Sequence, residues 1–578
     1  MKGSKMAVFA LIAFIVACSG LLYFLNNTEN HHKTEAIKVS NLENWSIETS
    51  ALNGLPLKED KGIYGPDADA SLTSVYITVF PTESDNKTYK FSDFSLHTAR
   101  NKDYNPELNA NIQFAARDNG IGNIRNSDLV NATIRVRGNS SRGATYKSYK
   151  VKLKDEAENF NGQKILNINK HMGDASRIAN KFCMDLMQSV ENVASFRTNF
   201  MRVYIKDASL PKNEQKYDYY GLFTNTEQPN KTYLALRGLD NNGSMYKATN
   251  FEFRVYPELK NIDDPEYDED IFETVLGIRE AKDHTKLLAM LNDVNDMNQD
   301  FNTVFKKYFN EENYLTWMAC NILLGNEDTI AHNFILYNPQ NSLTWYLLPW
   351  DFDGTFKFGK YDSSFSAPIA LKGIQRMTGV KLHRRYFSQP GNIEKLTAKM
   401  EELLNKNFTE ERAKSLIAAY KPVLEETMIQ APDLLIGEIP PDEIDDYIDQ
   451  FYEQILVNYK NYKESLKYST PVFVSEPIQN KNGETEFRWE PSNTFDQSFV
   501  SYKITLAKDY KFKNIVFEKK DLAETFYIYK ENLPAGTYYL KVAAVNDVGL
   551  EQYSLDFYYD ETDSTPTFGV RQVFIKKD

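Results

Sequence analysis

At 578 residues the chain is too long for one small domain, and with 42% hydrophobic and 25% charged residues it reads as globular rather than disordered. Its 67 Lys and Arg against 80 Asp and Glu leave a formal charge of −13, which argues against nucleic acid as a partner. Three cysteines exclude a disulfide scaffold and are too few for a cysteine-rich zinc centre.

In chain order, residues 6–25 come first, an uncharged run (MAVFALIAFIVACSGLLYFL) behind Lys2 and Lys5. At ~1.5 Å per residue such a run reaches about 30 Å, enough to cross a bilayer, and its basic N-terminal flank points the rest of the chain outward. Within it, residues 15–19 (IVACS) resemble a lipoprotein cleavage box with Cys18 as the lipidated residue. Residues 1–25 are therefore expected to be a membrane anchor or a lipoprotein signal, and both place the body outside the cytoplasm. Residues 26–70 are polar with scattered Gly and Pro and read as a linker.

Strand signals follow at 75–80, 132–136, 148–153, 200–205 and 219–224, with helical spacing over 174–193. After about residue 270 the pattern turns helical, over 285–291, 301–324, 393–405, 411–427 and 442–466. Strands first and helices later predict an α+β fold for residues 71–468, with a β-rich front lobe and a helical back lobe. Residues 469–560 change again, to short, evenly spaced strands at 487–489, 500–506, 525–529 and 538–545, which predict an all-β sandwich. Residues 561–578 are left as a tail. Cys183 and Cys320 lie in apolar, helix-like stretches and read as buried free thiols.

Two segments stand out by charge. Residues 135–154 (RVRGNSSRGATYKSYKVKLK) carry Arg135, Arg137, Arg142, Lys147, Lys150, Lys152 and Lys154 and no acid. Gly138, Asn139, Ser140 and Ser141 sit between two strands, where a glycine lets the backbone turn close to a ligand and small hydroxyl residues donate to oxyanions. Lysines alternating with apolar residues put their charges on one face. The pattern suits a polyphosphate. Residues 326–356 are the opposite, with Glu327, Asp328, Asp351 and Asp353 and no Lys or Arg. Strands at 333–337 and 343–348 form a hairpin that brings Asp328, Asn333 and Asp351 to one end. Phosphoryl transfer needs a carboxylate to orient the acceptor hydroxyl and oxygen ligands to hold Mg²⁺ on the nucleotide, and this set supplies both.

These segments resemble the CotH kinase family, atypical kinases similar to spore coat protein H. The matching pieces are Arg137-Gly138-Asn139-Ser140-Ser141 with Lys147-Ser148-Tyr149-Lys150, Tyr220-Gly221-Leu222-Phe223 leading to Glu227, and Gly243-Ser244-Met245-Tyr246-Lys247. Gly325-Asn326-Glu327-Asp328 with Asn333, and residues 348–356 (LPWDFDGTF), complete the ordered set. The resemblance implies a divergent, two-lobed protein-kinase-like fold and an ATP-dependent kinase that uses Mg²⁺ (or Mn²⁺) and phosphorylates a protein acceptor. It makes Asp328 the acceptor-orienting or catalytic Asp, and Asn333 and Asp351 the metal ligands. Gly138, Asn139, Ser140 and Ser141 would cover the phosphates, with Lys147 or Lys150 pairing with them. Asp353 is a further metal ligand or a turn former. Glu227 falls where an interlobe connection is expected, with a cofactor-binding or a core-capping part. Arg177 and Asn180 read as structural, and His332 is left without a part. The C-terminal strands, with Trp489 and Tyr538, resemble a fibronectin type III domain. The acidic runs 263–273 and 438–449 lack the EF-hand spacing and read as solvated surface.

Overall fold

The structure, a computed structural model, describes residues 50–65, 70–97, 104–115, 127–281, 283–361, 367–560 and 566–576. The expected anchor at 1–25 lies outside the described residues. Among the described residues no helix is long and apolar enough to cross a membrane.

Seven strands close into a barrel: β1 (Leu72–Val79), β2 (Leu108–Ala115), β3 (Ala132–Arg137), β4 (Ser148–Leu153), β5 (Ile165–Asn169), β6 (Thr198–Asp207) and β7 (Asp218–Glu227). The order around it is β1-β2-β3-β4-β5-β7-β6, and β6 returns parallel to β1. Two-residue alternation decides what points in. On β3, Ala132, Ile134 and Val136 are buried while Thr133, Arg135 and Arg137 turn outward. With Val75, Ile77, Val151, Ile168 and Val203 the inward residues form a separate apolar core. Helix α1 (Ala179–Met187) lies between β5 and β6 in sequence. It is shorter than the periodicity at 174–193 predicts. The chain before it is turned by Asp174, whose carboxylate accepts from the Ser176 and Ala179 backbone N–H groups, and by Arg177 at φ 65°.

The second body is a four-stranded antiparallel sheet of β8 (Ser244–Ala248), β9 (Leu276–Glu280), β10 (Phe334–Asn338) and β11 (Tyr346–Pro349), ordered β9-β8-β10-β11. Helices α2 (Glu311–Leu323), α3 (Asn392–Lys406), α4 (Glu410–Thr427), α5 (Asp433–Ile436) and α6 (Phe451–Ser465) follow the same half of the chain. α2 is buried along its length and packs on α3, α6 and β11. The single helix expected over 301–324 is broken in two. Phe309 is extended and bridges to Trp345, and Asn310 then caps α2 by accepting from the Asn313 N–H. Cys183 and Cys320 are buried and free.

Two boundaries differ from the sequence reading. Residues 50–65, expected as linker, pack on the body: Leu57 is buried, Tyr346 Oη donates to Leu55 O at 2.7 Å, and Glu59 Oε2 lies 3.2 Å from Arg237 Nε. At the other end Arg571–Ile575, expected as tail, pairs antiparallel with Gly536–Leu540. The C-terminal region is all-β, with two antiparallel sheets around a core that includes Phe487, Trp489, Ile504, Tyr538 and Val542. Tyr538 Oη donates to Pro534 O at 2.8 Å.

Candidate active site

The acidic side is built by one hairpin. Phe334 on β10 pairs with Pro349 on β11, so the residues just before one strand and just after the other share an end. There Asn333 and Asp351 take left-handed backbone, φ 58° and 61°, a conformation Asn and Asp tolerate better than bulkier residues. Asp328 sits in the short turn Glu327–Thr329 with both carboxylate oxygens engaged. Asn333 Nδ2 donates to its Oδ2 at 2.6 Å, and His332 Nε2 lies 2.6 Å from its Oδ1. The 351–354 turn folds against it: a Cβ placed on Gly354 would lie 3.7 Å from the Asp328 Cβ. That turn is held from the barrel side. Asn180 Oδ1, on α1, accepts from the Phe352 N–H at 2.9 Å, and His171 Nδ1 lies 3.2 Å from Asp353 Oδ2. His171 is itself fixed by Arg177, which donates to its carbonyl at 2.6 Å.

The basic side comes from three strands. Arg137 ends β3, Lys247 lies on β8 and Arg279 on β9. Lys247 is paired in register with Gly277 and Ile335, one residue from Ala248, whose carbonyl accepts from the Asn333 N–H at 3.2 Å. Burial pulls the Arg137 guanidinium below its ordinary value, and the charges of Asp351 and Asp353 oppose that pull. Burial lowers Lys247 as well, with Asp351 the largest opposing charge and Asp328 a smaller one. The carboxylates respond in opposite directions. Burial, then repulsion from Asp353, pushes Asp351 up to about 6 against the pull of Lys247, Arg137 and His171. For Asp353 burial also acts upward, but the hydrogen bond and charge of His171 outweigh it and hold the group below its usual value. Two adjacent carboxylates, one of them reluctant to ionise, make a place for a cation.

The site fits a magnesium-type ion in donor chemistry. Among the described residues no three His, Cys, Asp or Glu side chains group closely enough to hold a metal by themselves. Mg²⁺ asks for less, one or two carboxylates with phosphate oxygens and water as the remaining ligands. Asp351, Asp353 and the Asn333 oxygen, which is left over when its amide donates to Asp328, meet that requirement.

The hairpin thus brings Asp328, Asn333, Asp351 and Asp353 together. The basic loop divides. Gly138 has φ 96°, and a Cβ there would collide with Ser141 Oγ, so the turn needs glycine. Gly138 and Asn139 are exposed, and residues 140–143 form a short 3₁₀ turn. Lys147 is buried and donates to Arg142 O at 2.5 Å and His97 O at 3.1 Å, which makes it a clamp on the loop. Lys150 faces outward opposite Arg135. Burial and the charges of Arg135, Arg279 and Arg137 bring it down to about 8. Of the two lysines, only Lys147 is tied to backbone carbonyls among the described residues. Glu227 stands apart from the acids: it is buried between Arg197 and Arg237, at 2.7 and 2.6 Å, in a closed ion-pair network. Of the two parts expected of Glu227, core capping is the one that this burial and pairing favour. Lys247, His171 and His332 are the residues that reasoning from sequence left without a role. His332 was visible as an oddity beside Asn333, and Lys247 as the end of a motif, but neither position discloses its neighbour.

A family model described as CotH kinase protein matches residues 134–455. Among curated proteins, Inner spore coat protein H of Bacillus subtilis (strain 168) is 22% identical over 329 residues, which is 56% of this chain and 86% of that relative. The matched span runs from within β3 into the start of α6 and contains every residue of the site just described. The chain belongs to the CotH kinase protein family.

Proposed function

We propose that the chain is an extracytoplasmic kinase that transfers the γ-phosphoryl group of ATP to Ser or Thr hydroxyls of surface or secreted proteins. The observation that carries this reading is the set at the end of the β10–β11 hairpin. Asp328 and Asn333 precede it and Asp351 and Asp353 follow it, and their fields meet Arg137 and Lys247. Phosphoryl transfer is chiefly positioning and electrostatics, which this set can provide. Asp328 orients the acceptor hydroxyl and takes its proton. The hydroxyl oxygen forms a bond to the γ-phosphorus while the bond from that phosphorus to the β–γ bridging oxygen breaks, and ADP leaves with the electron pair. His332 and Asn333 hold Asp328 in place through its two oxygens. Asn333, Asp351 and Asp353 would hold a Mg²⁺ or Mn²⁺ ion, which when bound would supply charge neutralisation at the nucleotide phosphates. Lys150, Arg137 and the Gly138 turn face the remaining phosphate charge.

The expected N-terminal anchor or lipid attachment would keep this body at the outer membrane surface. The C-terminal strands read as a fibronectin type III-like spacer, supported by buried Trp489 and by the Tyr538 hydrogen bond to Pro534. A second reading, a non-catalytic part in coat or surface assembly, is favoured by the relative's name as a spore coat protein. Thermal unfolding with and without Mg-ATP separates the two. Nucleotide at 100 times its dissociation constant is expected to add about 2.7 kcal/mol of stability. No upward shift with any nucleotide and divalent ion would leave the assembly reading standing.

A further inference from the structure

Asp328 and the 351–353 carboxylates mark two sides of a phosphoryl transfer, the acceptor side and the nucleotide side. The group in flight needs positive charge between them. The segment that joins Asp328 to Asn333 reads TIAH and contains no Lys or Arg. Arg137, at the end of β3, acts on Asp351 and Asp353. Lys247 alone among the site cations acts on both Asp351 and Asp328. Its backbone position explains why. It is next to Ala248, which binds the Asn333 N–H, and it lies on the strand that pairs with β10. Lys247 is half-buried, and its ammonium stands 5.8 Å from the centre of the ring of Trp350, the residue before Asp351. Among the described residues it makes no ion pair, although the charges of Asp351 and Asp328 both act on it.

We propose that Lys247 is a catalytic residue that contacts the transferring phosphoryl group from strand β8, supplying the cation that the 329–332 segment lacks. This rests on the kinase reading. A lysine that only balanced Asp351 would be a stability element, whereas one that meets charge developing in the transition state acts on turnover. Its backbone is set by a strand paired on both sides, with Gly277 and Ile335, rather than by a loop.

The test uses the full-length protein, labelled Mg-ATP, and both casein and water as phosphoryl acceptors, with Lys247→Met and Lys247→Arg beside the wild type. Lys247→Met is expected to bind Mg-ATP within about threefold of wild type and to lose turnover by about 10²–10³-fold, in kcat rather than KM. Lys247→Arg should recover part of that loss. Wild-type turnover in Lys247→Met overturns the assignment. So does a joint loss of thermal midpoint and Mg-ATP binding that Lys247→Arg restores neither in part nor in full, since that is a structural lysine. A wild type that neither binds nor turns over Mg-ATP removes the kinase reading and the role of Lys247 with it. An active wild type beside an unaffected Lys247→Met removes the role of Lys247 alone.

Discussion

Asp328→Ala is expected to keep Mg-nucleotide binding and to lower phosphoryl transfer by about 10²–10⁴-fold, the range for loss of a positioned general base. The separation of roles comes from the geometry. Asp328 is bound by His332 and Asn333, whereas Asp351 and Asp353 lie in a turn held by Asn180 and His171. Removing the Asp328 carboxylate leaves that turn and its pair of acids intact. The measurement is nucleotide affinity by calorimetry beside transfer of labelled phosphate under single-turnover conditions. Equal loss of affinity and transfer would place Asp328 on the nucleotide instead of the acceptor.

The largest stability effect is expected away from the site. Arg237 is fully buried, with Glu227 Oε2 at 2.6 Å from its Nη2 and Glu59 Oε2 at 3.2 Å from its Nε. It also donates to Ser195 O and Tyr233 O, and the guanidinium lies 3.9 Å from the centre of the Tyr233 ring. Arg237→Ala leaves two buried carboxylates facing a void and should cost about 3–5 kcal/mol, measured by urea unfolding. The pH dependence carries a sign. Burial raises Glu227, but Arg237 and Arg197 outweigh it and depress the carboxyl. Its contribution is therefore full above the unfolded carboxyl value near ~4.3 and is lost as pH falls through the lower folded value. Glu59, which burial raises in spite of Lys61 and Arg237, works against that trend. A loss under about 1 kcal/mol would mean that the network is no better than an exposed pair.

The acidic half of the site was legible because it is local. One hairpin, with strand patterns on both sides of a turn, sets Asp328, Asn333, Asp351 and Asp353 at one end whatever the rest of the fold does. The outward face of β3 and β4 was legible for the same reason, since alternation alone puts Arg135, Arg137, Lys150 and Lys152 on one side. The closed barrel was not. β2 (LNANIQFA) and β5 (ILNIN) carry asparagines that are poor strand formers, and their apolar residues reveal themselves only when the barrel supplies an inside. The parallel closure of β1 on β6 joins segments more than a hundred residues apart in sequence. The partners of single side chains were equally hidden. Lys147 and Lys150 differ by three residues, yet one clamps backbone carbonyls inside the loop and the other faces a row of arginines. Glu227 was read from a motif, but Arg237 claims it through a helix that lies between them. His171 meets Asp353 from 182 residues away.

The account rests on Asp351, the half-buried carboxylate that Asp353 repels and Lys247 and Arg137 attract. Its most direct test is transfer of the labelled γ-phosphate of ATP to protein, with wild type and Asp351→Ala compared in the presence of Mg²⁺ and again with the ion chelated. The wild type should transfer label only with the divalent ion, and Asp351→Ala should lose at least about 10³-fold together with its Mg-ATP binding. Transfer by Asp351→Ala at the wild-type rate, or no transfer by the wild type with either Mg²⁺ or Mn²⁺, would contradict it.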